Sequence, residues 1–131
     1  KSLIMLMGEL EFLTIENDNL NLTIALNYGG RDEIVRATKK ISEKVKLGVL
    51  NIDDITVEMI SNNLDTFDLP DPDLVIRTSG EVRTSNFLPW QCAYSEYVFE
   101  KSNWPDFNKD IYKEILIEFK TRERRFGAIL K

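Results

Sequence analysis

The stretch DLVIRTSGEVRTSNFLPWQCAYSE, from Asp73 to Glu96, decides the fold and carries most of the candidate chemistry. Residues 73–76 are apolar after the first position and predict a short buried strand, which the loop at residues 78–80 ends. Arg77 therefore lies at the carboxyl end of a strand. Ligands of open α/β sheets bind at that edge, so this stretch is the leading candidate for a binding site.

Strand-like and helix-like segments alternate along the rest of the chain. Further strands are predicted at residues 22–26 and 97–99, and about two helical turns at residues 89–95, with Ser85 or Asn86 as the cap. Four longer helices are predicted. The first spans residues 3–13, and the second runs from residue 32 and ends at Gly48, a left-handed C-cap. The third spans residues 56–62 with Thr56 as its N-cap, and the fourth runs from its N-cap Asn108 to Gly127. The alternation predicts an α/β fold with a mainly parallel sheet covered by helices.

Composition limits both the architecture and the chemistry. With 131 residues, 43% of them hydrophobic, the chain is expected to form one domain over residues 1–131. The complete lack of histidine excludes Ser-His-Asp and Cys-His nucleophilic schemes and histidine-based zinc sites within these residues. The single cysteine, Cys92, excludes an internal disulfide and fits a reducing, cytoplasmic compartment.

Charge and hydropathy exclude two classes of partner. The net charge of −5 argues against nonspecific nucleic-acid binding, which needs a basic surface. The apolar run at residues 3–7 is far shorter than the roughly 20 residues that a membrane span requires. We therefore interpret the chain as soluble, with no nucleic acid among its partners.

Two segments have the composition of an anion site. Gly29-Gly30, between a predicted strand and a helix, either cradles a phosphate or forms a tight turn that only glycine fits, and Arg31 either contacts a ligand or pairs with the acids that follow it. Arg77 and Arg83 have the guanidinium geometry that matches phosphate oxygens, and Ser85 with the loop N–H groups would complete the nest. The alternative is a surface ion pair between Arg77 and a neighbouring carboxylate, which would contribute little stability.

Two further charged positions leave alternatives open. Glu96 either holds a hard cation such as magnesium or is a solvated carboxylate. The arginines at residues 122, 124 and 125 either complement the negative end of the last helix or reach a phosphate on a neighbouring subunit.

Four segments together resemble the cis-prenyltransferase family, and most closely its bacterial undecaprenyl diphosphate synthase members. They are LTIALNYGGRDEI at Leu22–Ile34, DLVIRTSGEVRTSNFLPWQCAYSEYVF at Asp73–Phe99, WPDF at Trp104–Phe107 and RERRFG at Arg122–Gly127. They occur in the family's order and spacing and span most of the chain from Thr14 onward, which makes the resemblance far more specific than any single motif.

The resemblance implies a magnesium-dependent enzyme that condenses isopentenyl diphosphate with farnesyl diphosphate, forming cis double bonds. The product would be a long polyprenyl diphosphate, undecaprenyl diphosphate, that carries cell-wall precursors. A lipid product of this kind implies peripheral contact with the membrane. It further implies a cytoplasmic homodimer. The residues that match the family's isopentenyl diphosphate ligands are Arg77, Arg83, Thr84 and Ser85; Glu96 matches a Mg²⁺ ligand, and Arg125 and Gly127 match a terminal Arg-x-Gly signature that approaches the partner's site.

The chain also departs from the family pattern. Ser79 stands where the family often has glycine, and Pro89 where it often has leucine. The family's DGNGRW-like and FSxEN-like motifs, with the metal-binding aspartate and the catalytic asparagine, have no counterpart. We therefore expect that residues are omitted before Lys1 and between Leu13 and Thr14, that the sequence contains no catalytic residue, and that the 131 residues alone do not turn over.

Two other functions remain open at this point. One is a non-catalytic prenyltransferase-like subunit that supports a partner, and the other is a generic phosphate- or nucleotide-binding α/β module. Retention of Arg77, Arg83, Ser85 and Glu96 together weighs against the first. The second would need a glycine-rich phosphate loop, for which Gly29-Gly30 is the single candidate.

Overall fold

The structure, a computed structural model, describes residues 2–123. Two strands form, β1 at Leu74–Arg77 and β2 at Glu96–Phe99. The helices are α1 at Leu3–Thr14, α2 at Gly30–Lys46, α3 at Val57–Ser61 and α4 at Lys109–Thr121. Short 3₁₀ turns lie at Ile52–Asp54, Gln91–Tyr94 and Trp104–Asp106.

The two strands pair in parallel, as predicted. Leu74 lies opposite Glu96, and Arg77 lies opposite Phe99 at the far end. A parallel pair needs a long crossover, and residues 78–95 supply it. The α/β fold with a parallel sheet and helices is therefore confirmed.

The predicted helix caps are confirmed for three helices. The Thr56 hydroxyl accepts a hydrogen bond from the Met59 amide at 3.2 Å, and Asn108 Oδ1 accepts from the Asp110 and Ile111 amides at 2.9 and 3.2 Å. Gly48, with φ at +70°, follows α2 in the left-handed conformation that glycine adopts without strain. These short polar contacts are local, which is why the sequence could predict them.

The structure corrects the strand predicted at Leu22–Leu26. This segment is exposed and forms no strand. A strand needs a neighbour for its N–H and C=O groups, and the sheet within residues 2–123 consists of β1 and β2 alone. The compact apolar run with its β-branched residues predicted a strand without showing whether a partner strand was present.

Helix α1 confirms a predicted helix, but its apolar face is not buried. None of its residues is buried, and large side chains such as Ile4 and Phe12 are 81% and 77% exposed. No helix that residues 2–123 form is long and apolar enough to cross a bilayer.

Two helix ends also differ from the prediction. In place of the two helical turns predicted at residues 89–95, a short 3₁₀ turn forms at Gln91–Tyr94. Its N-cap, Trp90, makes no side-chain cap hydrogen bond, so neither Ser85 nor Asn86 caps it. Helix α4 ends at Thr121 because Arg122 adopts extended backbone. The predicted end at Gly127 is therefore wrong.

The core lies around α2, the 3₁₀ turn at Gln91–Tyr94, and α4. Its buried apolar residues are Ala37, Ile41, Leu64, Cys92 and Ile115. Two polar side chains are buried with them, Glu33 at 1% exposure and Gln91 at 4%. On α2, Ala37 and Ile41 are buried, whereas Ile34 and Val45 are half-buried.

The loop after β1 shows why glycine suits position 79 better than the serine that this chain has there. Ser79 has φ at +71° and the following Gly80 has φ at +66°. Their amides donate to the carbonyls of Ser102 at 2.7 Å and Glu100 at 2.9 Å, so the conformation is fixed by the segment after β2. A serine in this conformation is strained, and glycine is not.

We expect Ser79→Gly to stabilise the complete protein by about 0.5–1 kcal/mol. Relief of left-handed strain is worth roughly 1–2 kcal/mol, and the greater freedom of glycine in the unfolded chain costs roughly 0.4–1 kcal/mol. Denaturant unfolding measures the difference. Ser79→Ala keeps the Cβ atom and should show no gain; an equal gain in both variants would contradict the strain explanation.

Candidate functional site

A cleft of about 310 Å³ lies at the carboxyl ends of the two strands. Alternate residues of a strand face the same side, so the paired positions Val75 and Tyr97, and Arg77 and Phe99, line one face of the sheet. The other wall is the loop after β1. The residues that line the cleft are Val75, Ile76, Arg77, Thr78, Arg83, Thr84, Ser85, Phe87, Tyr97 and Phe99.

Arg77 is held in place by the loop opposite it. Its Nη1 donates to the Ser85 hydroxyl at 2.8 Å and to the carbonyl of Arg83 at 2.5 Å. These bonds fix the guanidinium at the end of β1, where the sequence predicted a ligand. The surface ion pair considered for Arg77 forms instead at Arg83, which contacts Glu81.

The structure therefore brings together four of the predicted substrate-binding residues, Arg77, Arg83, Thr84 and Ser85, around one cleft. The ion pair of Arg83 with Glu81 is exposed on both sides, and exposed pairs contribute little stability. An incoming anion can therefore compete for Arg83 at small cost.

Glu96 does not lie with these residues. It pairs with Leu74 at the opposite end of the strands, three register positions from Arg77 and Phe99, or roughly 10 Å along the sheet. The alternation of side chains also places it on the other face of the sheet. There its Oε2 accepts from Arg122 Nη1 at 3.0 Å.

Arg122 is an anchor between α4 and β2 that the sequence did not predict. Besides Glu96, its guanidinium donates to the Tyr97 carbonyl at 3.0 Å and to Glu118 at 2.6 Å. The carboxylates of Glu118 and Glu96 raise the pKa of the Arg122 guanidinium above its usual range. Arg122 therefore does more than complement the negative end of the helix, because it also bonds to β2.

The described part of the chain does not fit a magnesium ion in this arrangement. Magnesium takes oxygen ligands, and one oxygen of Glu96 is already ion-paired with a guanidinium. Across residues 2–123, no three carboxylate, cysteine or histidine side chains meet at a spacing that holds a metal. Glu96 as a metal ligand therefore stays a prediction.

The amides at the Gly29-Gly30 turn, which a phosphate would use, are already bonded to Asn86. The amide of Gly30 donates to the Asn86 carbonyl at 3.0 Å, and the amide of Arg31 donates to Asn86 Oδ1 at 2.9 Å. A Cβ atom on Gly30 would lie 2.1 Å from Pro89 Cδ, which only glycine avoids. Of the two alternatives, the structure favours the tight turn over the phosphate cradle.

A buried carboxylate links the elements behind the cleft. Glu33 accepts hydrogen bonds from the Tyr28 hydroxyl at 2.5 Å, the Asp65 amide at 2.8 Å and Gln91 Nε2 at 3.2 Å. Gln91 Nε2 also donates to Thr66 at 2.8 Å. Phe87, in the loop that lines the cleft, packs edge-on against Tyr28 at 5.9 Å. The loop that lines the cleft is therefore in contact with the buried network through the rings of Phe87 and Tyr28.

The position of Glu33 in the sequence already indicates that it is buried. Glu33, Ala37 and Ile41 are spaced four residues apart, so all three lie on the buried stripe of α2. An acid on an apolar stripe predicts a buried hydrogen-bonding hub. Gln91 and Asn86 had no such signal, because their partners lie 58 and 55 residues away.

The predicted residues Arg125 and Gly127 lie outside the described residues. Their role in a terminal Arg-x-Gly signature stays a prediction.

The Tyr28–Glu33 contact makes stability depend on pH. Burial, and then the hydrogen bond and charge of Glu33, raise the pKa of the Tyr28 phenol. A raised pKa means that the stabilisation is complete below the pKa of the unfolded chain, about 10, and is lost as pH rises above it. We expect Tyr28→Phe to cost about 1–2 kcal/mol of unfolding free energy at pH 7.

The difference between the wild type and Tyr28→Phe should narrow above about pH 10, measured by denaturant unfolding of the complete protein at a series of pH values. The matched control is Tyr112→Phe, since Tyr112 is exposed and its ring contact with Phe107 survives the change. It should change stability by less than about 0.5 kcal/mol. A difference for Tyr28→Phe that does not vary with pH would contradict this account.

Known relatives match almost the whole of this chain. A family model described as a putative undecaprenyl diphosphate synthase matches residues 1–127. The chain is 54% identical to an isoprenyl transferase of Agrobacterium fabrum over 124 residues, 95% of this chain and 50% of that protein. It is 56% identical to an isoprenyl transferase of Bacillus subtilis over 116 residues, 88% of this chain and 45% of that protein.

Two solved structures share the fold. Lavandulyl diphosphate synthase from Lavandula x intermedia, in complex with dimethylallyl diphosphate, superposes with a TM-score of 0.87 at 37% identity, over 92% of this chain and 52% of that one. A probable undecaprenyl diphosphate synthase from Campylobacter jejuni gives a TM-score of 0.77 at 38% identity, over 93% of this chain and 54% of that one.

The chain thus spans about half the length of the curated relatives it matches, 50% for Agrobacterium and 45% for Bacillus. The single domain over residues 1–131 and the two omitted segments stay predictions. The family assignment does not depend on them, because the match extends over residues 1–127 and includes every segment that carried the resemblance. The chain belongs to the undecaprenyl diphosphate synthase family of prenyltransferases.

Proposed function

We propose that this chain supplies the isopentenyl diphosphate site of a cis-prenyltransferase. The complete protein would condense isopentenyl diphosphate with farnesyl diphosphate and make undecaprenyl diphosphate for the cell-wall lipid carrier. One observation carries the proposal: Arg77 is fixed at the carboxyl end of β1 by Ser85 and the Arg83 carbonyl, inside a cleft.

The cleft has the two kinds of surface that a prenyl diphosphate needs. Arg77, Arg83 and Ser85 offer donors to a polyanion, and an arginine fork matches two phosphate oxygens at once. Val75, Phe87, Tyr97 and Phe99 supply an apolar wall for the hydrocarbon part. The volume of about 310 Å³ is at the small end of ligand pockets, which suits a five-carbon substrate.

The similar structures support the same class of substrate. Lavandulyl diphosphate synthase was solved with dimethylallyl diphosphate, which is also a prenyl diphosphate. The curated relatives are named isoprenyl transferases.

In this proposal the residues of the chain bind and orient the substrate. Ser85 and the Arg83 carbonyl set the direction of the Arg77 guanidinium before the substrate arrives, so little ordering is needed on binding. The held diphosphate then presents its alkene to the allylic partner, and such alignment can supply several kcal/mol of the barrier reduction. No histidine is needed for these tasks.

The proposal includes dependence on magnesium, which the family resemblance implies. A bound magnesium ion would neutralise charge on a leaving diphosphate. For Glu96 to serve as a ligand, Arg122 would have to release it, and further oxygen ligands would have to come from outside residues 2–123.

The family resemblance also motivates the proposed setting of the complete protein. We propose a cytoplasmic homodimer that contacts the membrane peripherally through its lipid product, with Arg125 and Gly127 approaching the partner's site. The 131 residues alone are proposed to be inactive. The generic phosphate-loop alternative is disfavoured, because Asn86 occupies the amides of Gly30 and Arg31.

We expect Arg77→Lys in the complete protein to raise the KM for isopentenyl diphosphate by about 10- to 100-fold, since charge-assisted hydrogen bonds are worth about 1.5–3 kcal/mol. Lysine keeps the charge but cannot form the fork or hold both Ser85 and the Arg83 carbonyl. Steady-state assays with farnesyl and isopentenyl diphosphates measure the change.

The matched control is Arg36→Lys. Arg36 forks onto Asp65 with two bonds of 2.6 Å outside the cleft, so the same chemical change is made away from the substrate. A KM that is unchanged within twofold in Arg77→Lys would exclude the proposed site. A complete protein without turnover would favour the non-catalytic subunit, whereas an active wild type with an insensitive Arg83→Ala variant would remove Arg83 from the proposed site.

A further inference from the structure

The loop at residues 83–88 is attached to the protein on two sides. On the side of the sheet, Arg77 bonds to the Arg83 carbonyl and to the Ser85 hydroxyl. On the other side, the next residue, Asn86, bonds to the first turn of α2. The loop is therefore held between a strand and a helix that precedes it by more than fifty residues.

Asn86 caps α2 across this distance. Its Oδ1 accepts from the Arg31 amide at 2.9 Å, and its carbonyl accepts from the Gly30 amide at 3.0 Å. The first amides of a helix have no partner within the helix, and asparagine is a preferred cap for them. The residue that directly precedes α2, Gly29, has no side chain to do this.

The double glycine is shaped to receive this loop. A Cβ atom on Gly30 would lie 3.1 Å from the Asn86 carbonyl oxygen as well as 2.1 Å from Pro89 Cδ. A Cβ atom on Gly29 would lie 3.2 Å from Asn86 Nδ2. The two glycines therefore permit the close approach of the residues that follow Ser85.

The backbone of the loop does not hold this shape by itself. Ser85, Asn86 and Leu88 have φ angles of +48°, +66° and +46°, in the left-handed region that side chains other than glycine disfavour. Such conformations persist where surrounding contacts determine them, and they are frequent at ligand sites. The bonds from Asn86 to α2 are contacts of this kind, one residue away from Ser85.

We propose that Asn86 is a positioning residue for the diphosphate site. By capping α2 it fixes the left-handed backbone at residues 85–86, and this in turn holds the Ser85 hydroxyl against Arg77. The inference rests on the proposed function, because the site that Asn86 orders is the one proposed to bind isopentenyl diphosphate. Asn86 itself does not contact the substrate.

Asn86→Gly tests the inference in the complete protein. Glycine adopts φ at +66° without strain, so this variant removes the side-chain cap without adding left-handed strain. We expect the KM for isopentenyl diphosphate to rise by about tenfold, as the loss of one net hydrogen bond allows, while kcat changes much less. Amide hydrogen exchange at Arg31 should become faster by a similar factor.

Two further variants serve as controls. Asn86→Asp keeps the acceptor oxygen at a helix N-terminus and should restore slow exchange at Arg31 and a nearly normal KM at about 0.3 M salt, where the added charge is screened from the diphosphate. Asn51→Gly should change neither quantity, since Asn51 is exposed and its side chain makes no cap hydrogen bond.

The outcomes separate this inference from the proposed function. A wild type without turnover of isopentenyl diphosphate contradicts the proposed function. An active wild type whose KM is unchanged in Asn86→Gly, with fast exchange at Arg31, overturns the role of Asn86 alone. If Asn86→Gly fails to fold, Asn86→Asp at about 0.3 M salt decides. A normal KM with slow exchange at Arg31 supports the inference, and a KM raised tenfold or more despite slow exchange overturns it.

Discussion

The buried carboxylate of Glu33 is the interaction on which the rest of the structure depends. It is 1% exposed and accepts hydrogen bonds from Tyr28, the Asp65 amide and Gln91, so it joins segments before, within and after α2. A buried carboxylate without these donors would be costly, which makes the three segments mutually dependent. Through Tyr28 and its ring contact with Phe87, the same carboxylate supports the loop that lines the cleft.

The position of the candidate site is set by the two strands and by the loop between them. Parallel pairing of β1 and β2 places Arg77 and Phe99 together at one end of the sheet, and the loop after β1 returns to close the cleft. The loop then turns onto α2 through Asn86, with left-handed backbone at residues 85 and 86. The site is thus built from a rigid strand end and a strained loop that is fixed at both sides, an arrangement that limits the ordering required when a ligand binds.

The sequence predicted the parts of this arrangement that local patterns encode. Both strands of the sheet, the caps at Thr56 and Asn108, the left-handed Gly48 and the cleft residues from Arg77 to Ser85 follow from short-range periodicity or from the family motifs. What it missed depends on contacts between distant residues. Ser85 or Asn86 was predicted to cap the turn that follows, and Asn86 instead caps α2. The contact of Arg122 with Glu96, on the face of the sheet away from the cleft, joins residues 26 positions apart.

Leu22–Leu26 is a case in which the sequence predicted an element that does not form. Its pattern is that of a strand, yet among residues 2–123 it is exposed and unpaired with β1 or β2. Strand formation requires a neighbour, and local sequence cannot state whether one is present. The family match was more informative here than periodicity, because it identified the chain from segments whose local structure the pattern predicted wrongly.

A crystal structure of the complete protein with isopentenyl diphosphate would test the central claim most directly. The account predicts the diphosphate within hydrogen-bonding distance of the Arg77 guanidinium, the Ser85 hydroxyl and Arg83, with the hydrocarbon against Tyr97 and Phe99 and with Asn86 still bonded to α2. A diphosphate bound elsewhere, with Arg77 and Ser85 still paired to each other and Arg83 still paired to Glu81, would contradict it.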